Sequence, residues 1–166
     1  MTATPTIPLL TQNDGRRIPQ IGLGIYGPDD DGTVDAVHTA LDLGYRSIDT
    51  AALYRNEWGV GEGMRRSGAP REEIYLTTKL ADPDHGYDEA RRAFDASLKR
   101  LGLEYVDLYL IHWPLPGVDR YAETWRAFEA IQADGLTPTT ADEESQATAE
   151  PGSNLFRGST WAIDRR

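Results

Sequence analysis

Four side chains of types that move protons follow strand-like runs of this sequence. The runs cover residues 46–48, 74–78 and 106–111, and the residues that follow them are Asp49, Lys79 and His112. Tyr54 lies a short loop after Asp49. A carboxylate, a phenol, an amine and an imidazole that meet on one face are suited to proton transfer to a carbonyl oxygen.

Helix-patterned segments separate these runs, so we expect the strands to be parallel. Apolar residues recur at helical spacing in three segments, with stripes at Val34, Val37 and Leu41, at Ala90, Phe94, Leu98 and Leu101, and at Tyr121, Trp125, Phe128 and Ile131. A weaker helix is predicted over 58–66, and a first strand over 21–25. The pattern predicts four βα units, the first half of an α/β barrel, in which the C-terminal strand ends share one face.

Different structure is predicted at the two ends of the chain. The turn signal Asn13-Asp14-Gly15 between 7–10 and 17–20 predicts a β-hairpin before the first unit. From residue 136 to residue 154 the chain has almost no large apolar side chain, too few to offset the ordering entropy of about 1–2 kcal/mol per residue. We therefore expect a half-barrel over 1–135 and a disordered tail over 136–166, which amounts to a truncated barrel.

Composition excludes several classes of partner and site. The net charge of −10 with no basic stripe argues against nucleic acid and anionic membranes as partners. The absence of cysteine excludes disulfides and thiolate metal sites. Neither a signal peptide nor a long apolar stretch is recognised, so the expected location is the cytoplasm.

Weaker motifs are interpreted without a cofactor or metal role. Residues 22–27 match the spacing G-x-G-x-x-G, but three aspartates (residues 29–31) follow where a helix should receive a pyrophosphate. The glycines are instead expected to allow tight packing, and the aspartates to cap the next helix. The aspartates lack the alternation of a calcium loop, and His38, His85 and His112 lack the spacing of a catalytic metal site.

The local sequence around the four residues resembles that of the aldo-keto reductases, especially bacterial diketogluconate-reductase-like members. The segments that carry this resemblance, over about residues 5–135, are GYRSIDTAALYRNE at 44–57, LTTKL at 76–80, FDASLKRLG at 94–102 and LYLIHWP at 108–114. The resemblance implies a TIM-barrel fold and an NADPH-dependent oxidoreductase that reduces aldehydes or ketones to alcohols. It implies a small-molecule carbonyl compound as the substrate.

The resemblance also assigns roles to individual residues. Tyr54 matches the proton donor, and Lys79 matches the cation that lowers the pKa of the phenol, because a nearby positive charge favours phenolate. Asp49 matches the carboxylate that holds the lysine, and His112 matches the imidazole that orients the carbonyl. The predicted substrate-binding residues are Tyr26, His112 and Trp113, and the predicted cofactor-binding residues are Gly24, Ile25 and Asp49.

Departures from the family pattern leave two functional readings open. Ile25 stands where many members have threonine, Ala81 stands where many have an aromatic or polar residue, and the family's next strand is not recognisable after Gly135. The first reading is a reductase, inactive if truncation removes too much of the cofactor site. The second is a non-catalytic remnant or interaction module of the same fold, which would self-associate through open sheet edges.

Overall fold

Two β-sheets and four α-helices form the described part of the chain, residues 7–12, 15–27 and 29–142 of a computed structural model. The strands are β1 Leu9–Thr11, β2 Arg17–Pro19, β3 Leu23–Gly24, β4 Ser47–Asp49, β5 Tyr75–Leu80, β6 Leu108–Ile111 and β7 Thr139–Asp142. The helices are α1 Asp30–Asp42, α2 Glu57–Ser67, α3 Tyr87–Leu101 and α4 Tyr121–Ala133.

The larger sheet is parallel throughout and has the strand order β3-β4-β5-β6-β7. Neighbours in space are therefore neighbours in sequence, as in the first part of an α/β barrel. A helix lies between each pair of consecutive strands, which confirms the four predicted βα units. All C-terminal strand ends consequently lie at the same end of the sheet.

The predicted hairpin is confirmed, since β1 and β2 pair in antiparallel register. It lies against the N-terminal ends of the larger sheet. The Tyr75 hydroxyl at the start of β5 is 3.5 Å from Gln12 Oε1. The Arg16 guanidinium contacts the Pro138 carbonyl and, at 3.3 Å, Thr139 Oγ1 at the start of β7. The hairpin thus occupies the end of the sheet opposite the strand ends that carry the proposed chemistry.

Close backbone packing explains why the second helix has a weak sequence pattern. A Cβ atom added at Gly61 would lie 1.9 Å from the Leu101 carbonyl oxygen, so α2 crosses the end of α3 at a distance that a side chain would prevent. Glycine weakens a helix interior by about 1 kcal/mol relative to alanine. Packing therefore stabilises α2, which extends from Glu57 to Ser67, slightly beyond the predicted 58–66.

The main core lies between the outer face of the sheet and the helices. Alternate strand residues supply it from the sheet, among them Ile48, Leu76, Leu80, Tyr109 and Ile111, all fully buried. A smaller cluster of Leu108, Leu110 and Ala141 lies on the inner face. The pleat therefore directs Lys79 to the inner face, between its outward neighbours Thr78 and Leu80.

The C-terminal boundary requires a correction. We expected no strand after Gly135, but Thr139–Asp142 forms β7 and pairs with the whole of β6. Its polar sequence carries little hydrophobic signal, and the strand is specified by the neighbouring edge of β6. The rest of the predicted tail, 143–166, lies outside the described residues, and the division into two parts stays a prediction.

Within the described residues, no helix combines the length and the apolar character that crossing a membrane requires.

Candidate active site

An ion pair joins the ends of two adjacent strands. Lys79 Nζ donates to Asp49 Oδ1 at 2.5 Å and to the Thr50 carbonyl oxygen at 3.1 Å. The lysine side chain is 3% exposed, whereas the aspartate side chain is 31% exposed. The ammonium is thus enclosed by acceptors, and the carboxylate keeps one side towards open space.

Tyr54 reaches this pair from a short 3₁₀ turn, Ala52–Tyr54, which follows β4. The next residue, Arg55, has a left-handed conformation (φ 58°) that ends the turn. Lys79 Nζ lies 5.4 Å from the centroid of the Tyr54 ring, within the range of a cation–π contact. The positive charge of the lysine therefore lies beside the phenol.

His112 completes the group from the end of β6. Its Nε2 lies 3.5 Å from the Tyr54 hydroxyl, and the two rings meet edge to face at 5.5 Å. Burial lowers the pKa of His112 below its ordinary value, and the positive charge of Lys79 lowers this pKa further. The structure thus supports a neutral imidazole beside the phenol near pH 7.

Two exposed aromatic rings border the same space. Tyr26 is 79% exposed and contacts the Tyr54 ring edge-on, at a centroid distance of 5.0 Å. Trp113 is 46% exposed and stacks on His112 with an interplanar angle of 23°. The structure therefore brings together Asp49, Tyr54, Lys79, His112, Tyr26 and Trp113, as the sequence predicted; their roles stay predictions.

The predicted cofactor residues at the end of β3 lie beside Asp49. Gly24 pairs with Asp49 in the sheet register, and a Cβ atom added at Gly24 would meet no heavy atom within 4 Å. The Ile25 amide donates to the Asp49 carbonyl at 3.0 Å, but its side chain is buried in the core. Gly24 borders open space, whereas the amide and the carbonyl of Ile25 are bonded within the protein, to Asp49 and to Asn56.

The sequence analysis missed a buried brace behind the site. Thr50 Oγ1 donates to Asn56 Oδ1 at 2.7 Å, and Asn56 Nδ2 donates to the Ile25 carbonyl at 3.2 Å. Asn56 is fully buried, and it ties the segment after β3 to the segment after β4. From its position one residue before α2 it could have been interpreted as a helix cap, but its side chain makes no capping bond.

The glycine-rich segment behaves as predicted at two points. A Cβ atom at Gly22 would lie 2.7 Å from Ser47 Oγ, so this glycine allows tight strand packing. Asp29 Oδ1 accepts from the Gly32 amide at 2.9 Å and caps α1. A carboxylate therefore occupies the helix end that a dinucleotide-binding loop offers to pyrophosphate.

Other candidate sites are less convincing. Within 7–12, 15–27 and 29–142, no three His, Asp or Glu side chains are grouped closely enough to hold a metal ion. A cleft of about 340 Å³ lies between α2 and α3, away from the strand ends. Three arginines that line it form ion pairs, Arg65 with Glu62, Arg71 with Asp107 and Arg100 with Glu57.

Comparison with known proteins identifies the group to which this arrangement belongs. A model of the aldo/keto reductase family matches residues 20–140. The chain belongs to the aldo/keto reductase family. It is 51% identical to an aldo-keto reductase of Mycolicibacterium smegmatis over 128 residues, 77% of this chain and 46% of that protein. It is 46% identical to the methylglyoxal reductase DkgA of Escherichia coli, over 81% of this chain and 47% of that protein.

Solved structures of family members have the same fold. An aldo/keto reductase from Brucella melitensis matches with a TM-score of 0.80 and 50% identity, over 82% of this chain and 52% of that chain. A Bombyx mori aldo-keto reductase in complex with NADP matches with a TM-score of 0.77 and 37% identity, over 83% of this chain and 50% of that chain. The chain thus spans about half the length of these relatives.

Proposed function

We propose that this chain carries the proton-transfer half of an NADPH-dependent oxidoreductase that reduces aldehyde or ketone carbonyls to alcohols. The observation that supports this most directly is the convergence of Asp49, Tyr54, Lys79 and His112 at adjacent strand ends. The family's members are NADP-dependent carbonyl reductases, and a matched relative was solved with NADP.

The residues present fit the nicotinamide end of the cofactor. Open space at Gly24 adjoins the partly exposed Asp49 carboxylate, a hydrogen-bond acceptor, and the exposed face of Tyr26. NADPH, when bound, would supply a hydride to the carbonyl carbon of the substrate. Gly24, Ile25 and Asp49 are the residues that we propose to border it.

The remaining chemistry belongs to the chain itself. The Tyr54 hydroxyl and His112 Nε2 lie 3.5 Å apart, so a substrate oxygen in front of them could accept a hydrogen bond from both. Tyr54 would then donate its proton to this oxygen, and Lys79 would stabilise the negative charge left on the phenol. Asp49 would keep the lysine in place, while Tyr26 and Trp113 would form the walls around the substrate.

A second candidate function rests on the open edges of the sheet. The described sheet ends at β3 on one side and at β7 on the other, and a sheet edge can pair with another strand. A non-catalytic module that self-associates through these edges is therefore the alternative.

The cytoplasmic location expected from the sequence also stays a prediction.

A fluorescence titration with NADPH separates the two functions. Saturable binding at micromolar NADPH is expected for the reductase. No binding up to millimolar NADPH, together with a dimer in sedimentation, would favour the interaction module.

The substitution Tyr54→Phe tests the mechanism, because it removes the hydroxyl and keeps the ring. Loss of a positioned general acid lowers the rate of carbonyl reduction by about 10²–10⁴-fold. The urea midpoint should stay close to that of the unchanged chain, which separates loss of chemistry from loss of fold. Tyr105→Phe, a change away from the site, serves as the control. Turnover unchanged in Tyr54→Phe would refute the assigned role.

A further inference from the structure

A second histidine, His85, lies behind the segment that follows β6 and takes no part in the proposed reaction. His85 follows β5 and is 3% exposed, although it lies in the polar sequence Asp82-Pro83-Asp84-His85-Gly86. Its Nε2 lies 2.9 Å from the Trp113 carbonyl oxygen, and its Nδ1 lies 3.1 Å from Thr124 Oγ1. Both ring nitrogens are therefore used to join the segments after β5 and β6.

Thr124 extends the contact to the far end of the same loop. Its hydroxyl oxygen lies 2.9 Å from the Arg120 carbonyl oxygen and accepts from the Gly86 amide at 2.8 Å. Residues 113–120, which we call the β6–α4 loop, are thus bonded at Trp113 by His85 and at Arg120 by Thr124. Since these two side chains also contact each other, they form one buried clamp.

The β6–α4 loop has a backbone that requires such support. Leu115 and Asp119 have positive φ angles of 45° and 51°, a conformation that costs side-chain-bearing residues about 1–3 kcal/mol. Such strain persists where surrounding contacts enforce it. The Arg120 side chain adds ion pairs to Glu89 and Glu123, both at 3.1 Å.

The hydrogen-bond partners determine where His85 carries its hydrogen. A carbonyl oxygen only accepts, so Nε2 must carry hydrogen and donate to Trp113. Thr124 has a single hydroxyl hydrogen, which goes either to the Arg120 carbonyl or to His85 Nδ1. In both arrangements Nε2 is the donor.

We propose that His85 is a positioning residue: with Thr124 it fixes the β6–α4 loop and thereby the Trp113 ring and the adjacent imidazole of His112. Trp113 links the clamp to the site because its carbonyl accepts from His85 while its ring stacks on His112. Only the consequence for substrate binding rests on the proposed function; the clamp itself does not.

The unchanged protein allows a direct test, because the sequence has three histidines and their ring nitrogens can be resolved by ¹⁵N NMR. His85 is expected to show hydrogen on Nε2, with slow exchange owing to burial. A tautomer that carries hydrogen on Nδ1 alone, or rapid exchange at Nε2, would overturn the clamp without the need for any variant.

Two substitutions at position 85 separate positioning from packing. His85→Phe keeps a ring but loses the donor, so the indole signal of Trp113 and the ring signals of His112 should shift or broaden. His85→Gln offers an amide donor in place of Nε2 and should restore these signals towards their original positions. His38→Asn, on the half-exposed face of α1, is the control and should leave both unchanged.

A matched pair at position 124 covers the case in which His85→Phe does not fold. Thr124→Val removes the hydroxyl at constant shape, and Thr124→Ser keeps it. Shifted Trp113 and His112 signals in the valine variant alone support the clamp, and unshifted signals in a folded His85→Phe or Thr124→Val overturn it.

Kinetics extend the test to the proposed reaction. His85→Phe should lower kcat/KM by up to about 100-fold, chiefly through KM, because misplacement of a binding group by about 1 Å can cost that much. If the unchanged chain reduces no carbonyl compound, the proposed function fails while the NMR result still decides the clamp.

Discussion

Two cation–carboxylate pairs lie on opposite faces of β5, and each has one enclosed member and one partly exposed member. In the active-site pair the cation is enclosed, with Lys79 3% and Asp49 31% exposed. In the second pair the carboxylate is enclosed, with Glu57 0% and Arg100 44% exposed. The pleat explains their location, since Thr78 contacts Glu57 on the helix side and Lys79 contacts Asp49 on the inner side.

The difference separates an anchor from a reactive group. Glu57 accepts from Thr78 at 2.7 Å on one oxygen and from Arg100 on the other, so its acceptors point into the protein. This pair ties α2 to β5 and α3. Asp49 instead accepts from Lys79 with one oxygen, and the rest of its carboxylate faces the open side. Removing one partner of a pair should therefore cost more unfolding free energy when the group left behind is the enclosed member.

The largest expected effect concerns the anchor pair. Arg100→Met leaves the enclosed Glu57 carboxylate without its charged partner, and breaking a buried pair in this way costs about 3–5 kcal/mol of unfolding free energy. Glu57→Gln leaves a guanidinium that water can reach and should cost less. Urea unfolding measures both, with Arg92→Met on the surface as the control, expected within about 0.5 kcal/mol. Equal costs for the two anchor variants would contradict the comparison.

The active-site pair should show the reverse order with a smaller difference. Asp49→Asn leaves an enclosed ammonium that still donates to the Thr50 carbonyl, so we expect a cost of about 1–3 kcal/mol. Lys79→Met leaves a carboxylate that water can solvate and should cost less in stability. The same urea measurement applies, with the surface substitution Lys99→Met as the control. A larger loss for Lys79→Met would mean that the lysine is not the enclosed member.

The smallest effect is electrostatic and appears at His112. The pKa of His112 should lie below the ordinary value of about 6.5, and Lys79→Met should raise it because one cause of the lowering is removed. Since the unfolded chain takes up this proton at higher pH than the folded chain, this contribution to stability is present above about pH 6.5 and is lost as the pH falls through the folded pKa. Titration by NMR measures this pKa. An unchanged His112 pKa in Lys79→Met would show that the charge of Lys79 does not act on the imidazole.

The sequence could predict the residues that follow regular elements. Asp49, Lys79 and His112 come directly after or at the end of apolar runs, so local periodicity places them on one face of a parallel sheet. Gly44 and Gly102 follow the apolar stripes of two predicted helices in the sequence, and both lie just after the ends of α1 and α3 with positive φ angles. These positions depend on nearby residues, which a sequence displays directly.

Residues whose environment comes from distant parts of the chain were not recognised. Glu57, at the first position of a helix, is buried and pairs with Arg100, 43 positions away. His85, in a run of polar residues, is buried and contacts Thr124, 39 positions away. The edge of β6 specifies β7 in the same way. Polar composition predicts exposure at such positions, and it fails where a distant partner satisfies the polar group.

The contact between hairpin and last described strand sets an order of events during synthesis. Arg16 and Thr139 are separated by 123 positions, yet their side chains lie 3.3 Å apart. At about 5–20 residues per second, the ribosome needs roughly 6–25 s to translate that interval. The hairpin can form early from adjacent residues, but it cannot dock onto β7 until the last described strand has been made. Until then the hairpin can contact the sheet at Tyr75 of β5 through Gln12, but the part of this sheet end beside β7 stays uncovered.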